Sequence, residues 1–591
     1  MAQTVAKKGL AALPDLGSVM GENGYLHYNE DGVDYRFPVA LLSRISVLAT
    51  ATGAKSIGLD LTTVWNVLSG RTRNFFEFLS DDKIDSVKSG EDVDITTELQ
   101  AAMDANCAIK LPDGSYYVTQ AIVTSVSSSL IGDGPRNCVI DNRGIDHLFK
   151  FPSGYNRGWK VWCGFKVKSS NQAALKKYAF YFMGSATTGY LDYAASQWFQ
   201  LIEFDGTGMG GGWYLQDCFR VTIRDCGASG HGNPFYIAGS VVQLTVDNYV
   251  NNGDSAPSMD VGSYGVYMAN KSYTDGNGTK TPEGVNFTHC KFVRQAIGAT
   301  AVGLFVNFSK CEFDYCWQYG GYYGGGSQVT FDMCYVGVQA NRPNNFVGFM
   351  VPAQASGVAE KVVIHKCTVN MQTNTNTNAA IYTSKGIQVG NSTVNPIATD
   401  IVSNTFRGVG FDIGIHVVRG LGIKVDANAF LYTGVNIQVD ECRTLWMTNN
   451  STSLDGSNNP RGTYNLTTAD TSAEWFVVGN DGTFVTKSIV NPARCIIMNR
   501  YWTPYVTRTS WSPSAAINVS IAAGATYGFT IAATADSTAT YSLAGVNVSG
   551  LQWSIVYSNA AAVRVTFYNP TASAITLNTS LRVKTEWPPV G

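Results

Sequence analysis

A short pattern, V-x-[F/I]-x-x-C-x-[F/V], recurs down the middle of the chain, and its spacing limits the fold more than any other feature. It reads Val285, Phe287, Cys290, Phe292; then Val306, Phe308, Cys311, Phe313; then Val329, Phe331, Cys334, Val336; then Val362, Ile364, Cys367, Val369. With asparagine in the cysteine place it continues as Ile401, Asn404, Phe406, as Ile423, Val425, Asn428, Phe430, and as Leu445, Met447, Asn450. An earlier copy is Val221, Ile223, Cys226. Between residues 290 and 450 the steps are 21, 23, 33, 37, 24 and 22 residues. Units this small cannot bury their own apolar faces, so they must stack.

Within one unit, apolar residues two apart make a short strand with alternate side chains inward. A small residue then turns a corner, and another apolar residue points inward two positions later. Cysteine suits the corner as a small buried hydrophobe, and asparagine as a residue that tolerates left-handed backbone. Helical 3.6-residue periodicity and the L-x-x-L-x-L signature of leucine-rich repeats are both absent. The reading is an all-β chain, with a right-handed parallel β-helix over 91–455 and the longer steps as loops inserted at coil corners.

Composition narrows the function. Sixty glycines and 15% charged residues in 591 suit many turns and few exposed helices, and 12% aromatics is rich for so turn-dense a chain, a first hint of sugar binding. Lys and Arg number 42 against 44 Asp and Glu, so no global field recruits nucleic acid or an anionic membrane. Several of the 12 cysteines share one inward position, which favours buried free thiols over disulfides. MAQTVAKKGL lacks a signal-peptide apolar core, and no 18-residue apolar run exists, so an extracellular role would begin with release by another route such as lysis. His27, His147, His231, His289, His365 and His416 show no metal-ligand spacing, and neither metal nor cofactor is expected.

The texture changes along the chain. Residues 1–90 include GYLHYNEDGVDYRFPVALL, which reads as a hairpin turning at Asp31-Gly32, and form a separate attachment domain and neck. Thr97 is expected to cap a short helix running to Cys107 that covers the first coil's strand edges. Residues 456–504 read as a connector, and 505–591, with short alternating strands, as a β-sandwich.

The run T-x-x-L-Q-x-A from Thr96, followed by L-P-x-G-x-Y-x-V from Leu111 and L-I-G-x-G from Leu130, resembles the cap and first coils of the pectate-lyase-like superfamily. The order of head, cap, β-helix and β-rich tail resembles bacteriophage tailspikes with polysaccharide-depolymerase activity. The resemblance implies a homotrimer and a β-helix that binds and cleaves a bacterial capsule or O-antigen. It also implies a head that joins a virion tail or baseplate protein, and a tail that trimerises or binds sugar.

Glycoside hydrolysis needs two carboxyl groups across the bond, and on a β-helix they must face outward. Corner-plus-one and corner-plus-three positions face out: Gly227/Ser229, Lys291/Val293, Glu312/Asp314, Tyr335/Gly337, Thr368/Asn370, Thr405/Arg407, Ala429/Leu431 and Ser451/Ser453. Glu312 and Asp314 are the one doubly acidic pair, and like charges so close are expected to raise one pKa. Asp332 is a third candidate. Trp317, Tyr319, Tyr322 and Tyr323, in a glycine-rich stretch read as a flexible loop, with Arg294 one coil below, are the expected sugar contacts. Asp254, Asp260, Asp275, Glu283 and Glu360 are secondary acidic candidates, and Asp217 and Asp225 read as turn-forming. A polysaccharide lyase, with His231 or a tyrosine and an arginine, and a non-catalytic glycan adhesin are the competing functions.

Overall fold

The computed structural model describes residues 25–30, 33–38 and 72–586, apart from short segments of which the longest are 185–193, 254–262, 353–360, 372–383, 453–461 and 500–508. Strands Tyr25–Glu30 and Val33–Pro38 pair antiparallel, with Glu30 opposite Val33. The expected turn residues Asp31 and Gly32, and the rest of the head before Thr72, lie outside the described residues.

From Thr72 onward the chain winds as a right-handed parallel β-helix with three strands per full coil. It forms two compact units, Met1–Glu312 and Phe313–Gly591. In the first unit one face pairs Thr72–Asn74 with Ala108–Leu111, then Ser129–Gly132, and continues through Lys160–Lys168, Ala194–Asp205, Cys218–Arg224, Val242–Asp247 and Asn286–Thr288 to Val306–Ser309. The stack thus begins at residue 72, inside the segment read from sequence as head and neck. The helix over the first coil is Thr96–Asp104, with Leu99, Ala102 and Met103 buried. Its first turn is served by Asp94, whose Oδ1 accepts from the Thr96 N–H at 2.9 Å, and not by Thr97. Gln100 fastens it to the coil below by donating to the Val123 carbonyl and accepting from the Val123 N–H, both at 2.9 Å.

The core is a set of ladders along the axis. Phe149, Phe180, Trp213 and Phe235 stack inward on successive coils with centroids 5.6, 5.6 and 5.1 Å apart. Each such side chain contributes roughly 1.5–3 kcal/mol by burial. A coil that the repeat pattern skipped lies at Val242–Asp247 and Val250–Asn252, with the fully buried Tyr249 at its corner. The corner residues Cys226, Cys290 and Cys311 are buried. All twelve cysteines of the chain are free thiols, and all but the half-buried Cys163 are buried.

In the second unit the first face runs Gln328–Asp332, Lys361–His365, Ala398–Val402, Gly420–Asp426, Cys442–Thr448, Glu474–Asn480 and Cys495–Asn499, all parallel. Strands within 462–499 therefore continue the coils through the region expected to be a connector. Asn480 is a further corner that the sequence reading did not reach, because it lies 30 residues after Asn450 and the residue before it is glycine.

Asparagine's place in the corner also differs from expectation. The left-handed residue is the one before the corner, whether cysteine or asparagine: Met333, Lys366, Ser403, Ala427 and Asn449 have φ of 53, 52, 58, 54 and 54°, and Gly479 has 73°. The asparagine side chain points inward and bonds. Asn404, Asn428, Asn450 and Asn480 form a buried amide ladder, with Nδ2 of one donating to Oδ1 of the next at 3.0, 2.9 and 2.7 Å. Beyond the coils, two antiparallel sheets enclose Ile517, Ile531, Val563, Val565, Phe567, Leu577, Leu581 and Val583, giving a β-sandwich.

Candidate functional site

Strand Glu312–Cys316 alternates as the repeat dictates, with Phe313 and Cys316 buried and Glu312 and Asp314 half-exposed. The Glu312 N–H donates to the Cys290 carbonyl one coil back at 2.8 Å. Its carboxylate meets the Lys291 ammonium at 2.7 Å. The acidic pair is thus not free of a neighbouring cation, as the like-charge argument assumed: Lys291 holds the same outward position one coil earlier.

Asp314 turns the other way along the axis. Its Oδ1 accepts from the Tyr315 N–H at 2.9 Å. A Cβ on Gly337 would fall 1.9 Å from that oxygen, so the carboxylate lies directly over bare backbone that only glycine provides. In strand register Gly337 is followed by Asn370, Arg407 and Leu431 on successive coils. Asn370 Nδ2 donates to the Tyr335 hydroxyl at 2.9 Å, which braces the amide against the same outward face. One row therefore carries a carboxylate, an open floor, a held amide and an exposed guanidinium. These groups make a polar track along the row.

Asp332 ends the neighbouring first-face strand, and its Oδ1 lies 2.7 Å from His365 Nδ1, its in-register partner. The sequence reading weighed His365 only as a metal ligand and not as a partner of Asp332. Both residues stand two before a corner, and that shared offset was the available signal.

The aromatic candidates divide. Trp317 is half-exposed. Tyr319 and Tyr322 face outward with centroids 5.2 Å apart, and burial, then the neighbouring Tyr319, raises the Tyr322 phenol. Tyr323 is fully buried, donating to the Gly326 carbonyl at 2.7 Å, and cannot touch a ligand. The stretch is the strand Tyr319–Gly326 and not a loop. Its glycines serve packing: a Cβ on Gly320 would meet Val336 Cγ1 at 2.5 Å, and one on Gly321 would meet Phe349 at 2.8 Å. Arg294 is exposed at φ 60°.

Among the secondary acids, Glu283 is exposed beside a bridge to Val242 and Leu304. His231, Asp254, Asp260, Asp275 and Glu360 lie outside the described residues. Asp217 is fully buried and accepts from the Ser240 N–H at 2.8 Å and from the Tyr273 hydroxyl. Asp225 accepts from Asn248 at 2.8 Å and Gln200 at 3.1 Å. Both brace turns.

The third face carries features that the corner pattern does not register. In the first unit His147 stacks on Tyr181 at 3.8 Å, and Tyr181, Tyr214, Tyr236 and Tyr267 follow at 4.7, 4.6 and 5.2 Å. Burial pushes the His147 imidazole down to about 4. These rings cover one another's faces, so they present edges outward. In the second unit His416 Nε2 lies 2.7 Å from Asp440 Oδ2. Burial works to raise the Asp440 carboxyl, but hydrogen bonds from His416 and Gln438 outweigh it and leave it lowered. Among the described residues no three His, Cys, Asp or Glu side chains gather as metal ligands.

No protein-family model matches the sequence, and no curated protein matches it. Among solved structures, the tailspike protein of E. coli bacteriophage HK620 in complex with pentasaccharide is similar at 11% identity and a TM-score of 0.46, covering 96% of this chain and 98% of that one. A single mutant of that tailspike, also with pentasaccharide, gives 12% identity, the same TM-score and the same coverage. A double mutant gives 11% and 0.47 over 99% of both chains.

Proposed function

We propose that this chain is a bacteriophage tailspike, a trimeric endo-glycosidase that binds and depolymerises a bacterial capsule or O-antigen during attachment. Residues 1–90 join it to a virion tail or baseplate protein, and the C-terminal sandwich trimerises or binds sugar. The observation that carries the reading is the outward strand Glu312–Cys316 on a parallel β-helix, whose Asp314 carboxylate opens onto the Gly337–Asn370 track. Glu312, held beside the Lys291 ammonium, suits the base that activates water, and Asp314 the acid that protonates the leaving oxygen. Asp332 is the reserve carboxylate, and Trp317, Tyr319, Tyr322 and Arg294 remain the proposed sugar contacts.

Positions two apart on a strand separate β-carbons by roughly 6.5–7 Å. That leaves room for a water between the carboxyls and predicts inversion at the anomeric carbon. Glu312→Gln and Asp314→Asn should each lower turnover at least about a hundredfold while the protein stays folded and still binds glycan. NMR of freshly released oligosaccharide reads the configuration before mutarotation. Retained configuration, or full activity in both variants, would move the chemistry to Asp332.

A lyase reading draws support from the Tyr335–Asn370 contact with Arg407 one coil on. A phenol base beside an amide and a cation is what proton removal next to a sugar carboxylate needs. Its products would absorb in the ultraviolet through a new double bond, and hydrolytic products would not.

A further inference from the structure

Charge pairing in the second unit is uneven. Along its coils Lys361 meets Asp400 at 2.8 Å, Arg419 meets Glu441 at 2.9 Å, Lys424 lies 3.8 Å from Asp426, and Lys385 donates to Gln388 at 2.8 Å. Lys366 and Arg407 are both exposed, and neither side chain meets a carboxylate or another hydrogen-bond partner among the described residues. Lys366 is the left-handed residue at the corner that opens strand Thr368–Met371, which carries Asn370. Arg407 is the next in-register residue after Asn370. Asn370 is fixed by Tyr335, and the row leads back over Gly337 to the Asp314 carboxylate.

We infer that Lys366, Asn370 and Arg407 form a subsite for the carboxylate of an acidic sugar, so that the polysaccharide taken by this track is anionic. The inference rests on the polysaccharide reading above and deepens it. A guanidinium offers a planar fork matched to a carboxylate, an ammonium offers a point charge, and a braced amide adds a directed donor. Three strand spacings, roughly 14 Å, separate the row's Asp314 end from Arg407. The anionic residue is therefore bound away from the reacting bond. There it anchors the chain without placing its charge beside the Asp314 carboxylate.

The test is binding of the intact protein to a panel of purified capsular polysaccharide fragments, half bearing sugar carboxylates and half neutral, followed by kinetics on any member cleaved. The expected result is selective binding of a carboxylated member. Arg407→Gln and Lys366→Gln should each weaken it about tenfold; Lys366→Gln should raise KM and leave kcat within about twofold, and Arg407→Lys should recover part of the loss. Raising ionic strength toward 1 M, where the screening length is about 3 Å, should erase the difference between wild type and variants. Binding or cleavage of neutral members alone, or unchanged affinity in both glutamine variants, overturns the subsite while leaving the depolymerase reading intact. A folded protein that binds no member overturns that reading, and the subsite with it.

Discussion

The cysteine corners and the asparagine corners of this β-helix solve the same problem with different chemistry. The backbone pattern is common to both, since the residue after each corner donates to the carbonyl of the preceding corner: Lys291 to Tyr249, Glu312 to Cys290, Thr405 to Cys367, Ala429 to Asn404 and Ser451 to Asn428. The side chains share a target as well. Sγ of Cys290, Cys311 and Cys367 points at the carbonyls of Val246, Phe287 and Phe331, at 3.6, 3.4 and 3.4 Å. Nδ2 of Asn404, Asn428, Asn450 and Asn480 donates to Ile364, Ile401, Val425 and Met447 at 2.8–3.0 Å. Every one of these carbonyls lies three residues before the preceding corner.

The asparagines add a second bond. Their Oδ1 accepts the N–H of the preceding corner residue, from Cys367 at 2.8 Å, Asn404 at 2.9 Å, Asn428 at 3.0 Å and Asn450 at 3.1 Å. Sulfur is a poor acceptor and does not replace that bond. A thiol corner therefore gains by burial and an amide corner by polar satisfaction, and the two tolerate damage differently.

The sharpest break is Asn428→Ala. It orphans the Asn404 N–H and a lone pair of Asn450 inside a dry core, and should cost about 2–4 kcal/mol, read as a lowered unfolding midpoint. Alkaline titration separates the two halves next. Burial pushes the Cys226 thiol up to about 12 and the Cys290 thiol well above its ordinary value. A group held protonated in the folded state gives its full stabilisation below the unfolded pKa near 9 and loses it as pH climbs toward 12. Stability should then fall over that window by up to about 1.4 kcal/mol per pH unit for each thiol. Cys226→Ala with Cys290→Ala should reduce the slope, and a slope unchanged in that variant would exclude these two thiols as contributors. Smallest are the exchanges. Cys311→Ser keeps a donor toward Phe287 and should cost only about 1 kcal/mol. Cys367→Asn extends the ladder by one rung and should fall within about 1 kcal/mol of wild type. A collapse of the fold in Cys367→Asn would mean that the two corners differ in space as well as in bonding.

The coil stack was legible because its period is carried by apolar residues whose inward register is strict, from Phe287 to Met447. The skipped coil shows the limit. Tyr249 fills the same corner with a large ring, and a pattern built on small residues does not find it. The end of the stack was misplaced because the step from Asn450 to the next corner, Asn480, is 30 residues and breaks the period, although Leu466, Trp475 and Val477 still point inward. The outward carboxylates were legible from alternation alone. Their partners were not: Lys291, His365 and the Gly337 floor are neighbours across coils, separated in sequence by the variable insertions. Glycine-rich sequence suggested mobility where close packing of strands demanded the absence of a Cβ.

The amide ladder also gives the chain a direction of growth. Each new coil delivers an oxygen to the N–H left open at the corner below it and a donor to a carbonyl already in place there. Each corner thus leaves one N–H and one carbonyl that only the asparagine of the next coil satisfies. The asparagine half therefore resembles the layers of a crystal, with the register of each layer set by the layer beneath.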